Sequence, residues 1–196
     1  MIVRGGKMEM SMDDYCLVDV IEEAQFCCEH ERYFAALATA LTLPDICAGI
    51  EMKKKGIKEK KGMCPYAIWC NKWMKQFLPS ISPWSEPNRD WGYVLYKLRC
   101  GILHNGDVDV CGKPYGAFDV NAFHLYVGED DFTDRSMVIS QHMKTGGFGY
   151  GNTAKIDMDI RYLICAITSA SYDFIKSYDL QKEELSVLGS AASSEH

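Results

Sequence analysis

Leu95-Tyr96-Lys97-Leu98-Arg99-Cys100-Gly101-Ile102-Leu103-His104-Asn105-Gly106 decides how this chain is read. Leu95, Leu98 and Ile102 continue a stripe begun at Trp91, so the stretch predicts an amphipathic helix. Asn105-Gly106 reads as its stop, because both residues tolerate left-handed backbone geometry. Arg99 then lies on the flank of the helix and His104 in its last turn. An α-helix places residues five apart roughly 140° around its axis and about 7.5 Å along it. One straight helix therefore does not aim both side chains at one small group. If the helix end packs against a second copy, two Arg/His pairs line one cleft. Imidazole trades protons near neutral pH, and guanidinium is a permanent charge with a planar fork suited to phosphate. The pair points to phosphodiester chemistry.

The spacing of Arg99, four intervening residues and His104 resembles the Arg/His motif of the HEPN superfamily. Leu43-Pro44-Asp45-Ile46-Cys47, with Glu51, looks like a second pattern found in uncharacterised bacterial proteins of that kind. The resemblance implies a helical bundle, often dimeric, and in many members a metal-independent ribonuclease needing no cofactor. It implies Arg99 and His104 as catalytic residues at a dimer cleft and Glu51 as the residue orienting them. Where many members carry a polar residue after the Arg, this chain has Cys100, a weaker hydrogen-bonding group. Related domains also act as nucleotide- or protein-binding modules, some beside small nucleotidyltransferases, and an antitoxin-like protein is a further expected partner. The residues by themselves leave another reading open, in which Arg99 bridges to an acid such as Glu51 and His104 caps its own helix.

The remaining chain supports a bundle. Leu17, Ile21, Ala24 and Cys28 follow helical spacing behind an Asp13-Asp14 cap, as do Phe34, Leu37, Ala38 and Leu41. Glu29-His30-Glu31-Arg32 interrupts the stripe, giving one long helix or two, with His30 read as a solvated residue. Pro44-Asp45 restarts a short helix ending near Glu51. Pro65 opens another, on which Tyr66, Trp69, Cys70, Trp73 and Phe77 share a face; they read as core rather than as a base-stacking surface. Residues 79–90 carry Pro79, Pro83 and Pro87 and read as a loop, with Asn88 or Asp90 capping the motif helix.

Beyond Gly106, Ala122–Val127 and Ser136–Ser140 are rich in strand formers, with Phe123, Leu125 and Val127 on one face. They predict a small antiparallel hairpin, on which His124 is a packed strand residue and His142 lies at a strand end. Gly146–Gly151 reads as a turn, since it lacks the Gly-Lys-Ser/Thr ending of a phosphate loop. The last helix is expected over Asp157–Tyr178. The fold class expected is thus mainly α, a bundle of four to five helices with an inserted antiparallel β-hairpin. It forms a single domain over 13–182, with flexible ends at 1–12 and 183–196.

Composition narrows the function. A net charge of −6 argues against broad duplex binding. The one basic run holds Lys53, Lys54, Lys55, Lys58, Lys60 and Lys61; it reads as a solvated loop and is the natural place for phosphate contacts. The nine cysteines show no zinc spacing and read as reduced thiols. The sequence shows no signal-peptide pattern and reads as having no apolar run long enough to span a bilayer, so the expected location is the cytoplasm, with no membrane partner.

Overall fold

The computed structural model describes residues 16–78, 91–105, 118–128, 137–143 and 152–180. Six α-helical segments form the bundle: α1 (Leu17–Glu29), α2 (Tyr33–Ala40), α3 (Leu43–Lys55), α4 (Pro65–Trp73), α5 (Trp91–Cys100) and α6 (Ile160–Tyr178). Strands β1 (Phe118–Tyr126), β2 (Met137–Met143) and β3 (Asn152–Asp159) lie between α5 and α6 in sequence. Only Leu41-Thr42 parts α2 from α3, so the six segments make five rods, within the four to five expected. The Asp13-Asp14 cap, residues 79–90, Gly106, residues 129–131, Gly146–Gly151 and both tails lie outside the described residues.

The centre of the bundle is α6, which packs against α1, α2, α3 and α4. Its buried Ile160, Leu163, Ile164, Ile167, Ala170 and Phe174 recur at three- and four-residue steps. On α4, Tyr66, Trp69 and Cys70 are buried, and Trp69 and Trp73 meet Phe174 edge-on, with ring centroids 6.1 and 5.5 Å apart. The aromatic stripe is therefore core, which removes it from any base-stacking role. Trp91, Leu95, Leu98 and Ile102 are all buried, as the stripe of the motif helix requires. The break between α1 and α2 falls at His30–Arg32, where Glu31 takes a left-handed φ of 57°. His30 is exposed at the end of α1, with Nδ1 2.8 Å from the Phe26 carbonyl.

The close crossing of α4 and α5 depends on Gly92. A Cβ there would overlap the backbone carbonyl of Ala67, while the Gly92 N–H donates to Asn71 Oδ1 at 2.8 Å. Because the obstacle is backbone, the helices must separate to admit a methyl group. Gly92→Ala is expected to destabilise the fold by about 1–3 kcal/mol, read as a lower midpoint in urea.

The sheet corrects the sequence reading in its pairing. Its order is β1-β3-β2, with β2 antiparallel and β1 parallel to β3. The antiparallel hairpin is formed by β2 and β3, not by β1 and β2. Asp157–Asp159, which the sequence reading assigns to the start of the last helix, are the end of strand Asn152–Asp159, and the helix starts at Ile160. Ala154, Ile156 and Met158 alternate with Thr153, Lys155 and Asp157, the period of two that marks a strand. Ile156 and Met158 are fully buried. Val127 falls just past β1 and is exposed, and His124 is also exposed rather than packed, paired to Asp157 Oδ1 at 3.0 Å.

The helix begins directly after the strand because Asp159 caps it. The Asp159 side chain accepts from Arg161 N at 2.8 Å and from Gly128 N at 3.0 Å, and it pairs with the Arg161 guanidinium at 2.6 Å. Burial pushes this carboxyl up, but the hydrogen bonds from Arg161 and Gly128 outweigh it and hold it below the usual range. Asp159→Ala removes the cap and the tie to Gly128 together. A loss of about 1–2 kcal/mol is expected, measurable by thermal denaturation.

The expectation of no long apolar run also changes. Among the described residues, Tyr33–Lys55 is long and apolar enough to cross a membrane by length and composition. The stretch contains the turn at Leu41-Thr42, and its Ala36, Leu37, Ala40, Leu43, Cys47 and Ala48 are buried in the bundle core.

Candidate polar site at the end of α5

Arg99 sits in the last turn of α5, and the helix continues directly into a π-helical turn, Gly101–Asn105, that carries His104. A π turn is closed by i→i+5 bonds and holds more residues than an α turn. It underwinds the helix, so residues five apart come nearer to one face than α geometry allows. The sequence gives no sign of this: Gly101 and Asn105 bound the segment, but an α-helical stop predicts the same residues. His104 and its neighbour Leu103 are exposed. His104 has no hydrogen-bond partner among the described residues.

Arg99 is tied to α3. Its Nη2 lies 2.8 Å from Asp45 Oδ2, with the two side chains 26% and 40% exposed. Asp45 Oδ2 and Arg99 Nε are buried atoms, each without a well-aligned hydrogen-bond partner. Burial raises the Asp45 carboxyl, and the charge of Arg99 offsets only part of that. Burial lowers Arg99, but Asp45 and Cys100 outweigh it and the guanidinium is held more firmly protonated. The neighbouring Cys100 thiol raises the Tyr96 phenol. The Tyr96 ring lies 5.8 Å from that of the fully buried Tyr66.

Glu51 is not placed with Arg99 or His104. Its Oε1 accepts from Lys55 Nζ at 2.6 Å, Lys72 Nζ at 2.5 Å and Tyr178 OH at 2.8 Å, and its Oε2 from Trp73 Nε1 at 3.4 Å. Burial pushes Glu51 up, but these four donors outweigh it and bring its pKa down to about 2 from the usual 4.5. The reason Asp45 and not Glu51 meets α5 is helical phase. Residues six apart stand roughly 120° apart around an α-helix, so one faces α5 while the other faces α4 and α6. Asp45 lies within the Leu43–Cys47 stretch that carries the second resemblance, the one signal that would have singled it out.

The lysine run is only partly a loop. Lys53, Lys54 and Lys55 form the last turn of α3, where cations suit the negative end of the helix dipole. Lys58, Lys60 and Lys61 follow in an exposed segment, beyond Gly56 in a left-handed conformation with φ of 62°. Lys54 Nζ lies 3.5 Å from the Tyr178 carbonyl. Ten residues of helix separate Asp45 from Lys55, about 15 Å along the axis. The run and the Arg99 pair therefore stand at opposite ends of α3. An extended strand could touch both; a single phosphate could not.

The eight cysteines among the described residues are free thiols. Among the described residues no three His, Cys, Asp or Glu side chains converge as a metal site. Comparison with family models, with curated proteins and with solved structures gives no match to this chain.

Proposed function

We propose that the chain is a HEPN-like, metal-independent RNA endonuclease acting as a homodimer in the cytoplasm. The observation that carries the reading is the arrangement at the end of α5. Asp45 pairs with an arginine in the last turn of α5, and an underwound turn follows it with an exposed imidazole. In this mechanism Arg99 holds the scissile phosphate and offsets the charge growing on it, the larger electrostatic contribution in many enzymes. His104 takes the proton from the ribose 2′-OH as base, or delivers one to the leaving 5′-oxygen as acid. The 2′-oxygen bonds to phosphorus as the bond to the 5′-oxygen breaks, leaving a 2′,3′-cyclic phosphate. Exposed Leu103 beside His104 supports contact with a second copy at this end of the helix. Wild-type protein is expected to cleave end-labelled single-stranded RNA in EDTA, leaving cyclic-phosphate ends, and to spare DNA of the same sequence. Absence of cleavage across several RNAs would overturn the reading.

The ion pair itself favours a second reading. Asp45 neutralises the charge that would meet a phosphate, so the same surface serves a non-catalytic module that binds a nucleotide or a protein, including an antitoxin-like one. Retention of a nucleotide without turnover would identify it.

A further inference from the structure

Between α3, α4 and the segment joining them lies a cavity of about 140 Å³. Its wall is apolar: Ala48 and Met52 come from α3, Ile68 and Trp69 from α4, and Ile57 and Met63 from the joining segment. That segment is bounded by two glycines of left-handed φ, Gly56 at 62° and Gly62 at 84°, which let the chain turn back over the helices. Trp69 is 1% exposed, and its Nε1–H has no hydrogen-bond partner. The rim carries Lys55, Lys72 and Glu51, two cations against one carboxylate, with both ammonium groups on the same oxygen, Oε1.

We propose that this cavity is a binding site for a small aromatic monocarboxylate, with its ring inside and its carboxylate at the Lys55–Lys72 rim. The size fits, since a cavity of about 150 Å³ holds a benzene ring. Two methionine side chains in the wall favour an aromatic ring over an alkyl chain, because thioethers pack on ring edges. The excess positive charge at the rim selects an anion of single charge. The site is separate from the Arg99–His104 pair, which lies at the other end of α3, and it stands whether or not the chain cleaves RNA.

Calorimetric titration of the full chain with hydrocinnamate, hydrocinnamide and phenylpropylammonium tests the proposal. Hydrocinnamate is expected to bind with a Kd of about 1 mM or below. The neutral amide is expected to bind about fivefold more weakly, the scale of one partly exposed ion pair, and the cation more weakly still. Lys72→Gln is expected to bring the anion down to the amide's affinity. Ile68→Trp fills the cavity and is expected to abolish binding of all three. Ile68 is 55% exposed, so its replacement leaves the core in place; Met63→Trp, from the joining segment, fills the same space from the other side. No binding of hydrocinnamate at about 10 mM to folded protein overturns the proposal. So does binding that survives both tryptophan variants, and so does equal affinity for all three probes.

Discussion

Arg99→Ala is expected to lower RNA cleavage by about 10²–10⁴-fold, at least as severely as His104→Ala. The helix geometry sets this order. The carboxyl end of a helix carries partial negative charge, which repels an approaching phosphate. Arg99 must offset that repulsion, so its loss is felt at the phosphate directly. Single-turnover rates on end-labelled RNA, with helicity followed by circular dichroism, check the expectation. The arginine variant also leaves Asp45 with its partner gone, at a cost of about 1 kcal/mol given its partial exposure. Arg99→Ala combined with Asp45→Asn should recover that stability without recovering cleavage. Asp45→Asn alone should separate binding from chemistry. It frees the charge of Arg99, so KM falls, and it releases the orientation of the fork, so kcat falls as well. Full activity in Arg99→Ala would remove the residue from the mechanism.

Glu51→Ala is expected to destabilise the fold by about 2–3 kcal/mol, lowering Tm by about 5–10 °C for a chain of this size. Glu51 joins α3 to α4 through Lys72 and Trp73, and to α6 through Tyr178. The lysine side chains are 44% and 45% exposed, so they regain water when the carboxylate is lost, and this keeps the cost below that of a fully buried pair. The pH dependence has a definite sign. A carboxyl held at about 2 in the folded chain, against an ordinary 4.5, contributes its stability above 4.5. That contribution is lost as pH falls from 4.5 towards 2, because protonation then favours the unfolded chain. The Tm gap between wild type and Glu51→Ala should therefore be widest near neutral pH and close in acid. A gap that stays constant down to about pH 3 would show that Glu51 acts by packing and not by charge.

The two glutamate and aspartate positions on α3 illustrate where reading a sequence stops. Asp45 and Glu51 are both acids on a helix expected to face the motif, and the chain order does not say which one meets Arg99. The answer depends on the rotation of α3 against α5, which is set by the packing of Leu43, Cys47 and Ala48 into the core. The same holds for β3. Its alternation of Ala154, Ile156 and Met158 was present in the sequence, but it runs without a break into the helical stripe of α6. A strand that becomes a helix at one capping aspartate shows no turn residue between the two periods.

What the sequence determined by itself is local. Apolar residues at three- and four-residue steps dictate amphipathic helices, and several such helices cannot bury their stripes except against one another, so a bundle follows. Pro44 and Pro65 near helix starts and the interruption at Glu29–Arg32 likewise act within a few residues of backbone. What only the tertiary structure decided involves partners distant in the chain. It paired Arg99 with Asp45, drew Glu51 to Lys72 and Tyr178, set β3 between β1 and β2, and formed a half-open apolar pocket between α3 and α4. Each of these depends on helix phase or strand order, and those are fixed by the joint packing of all the elements rather than by the residues of any one.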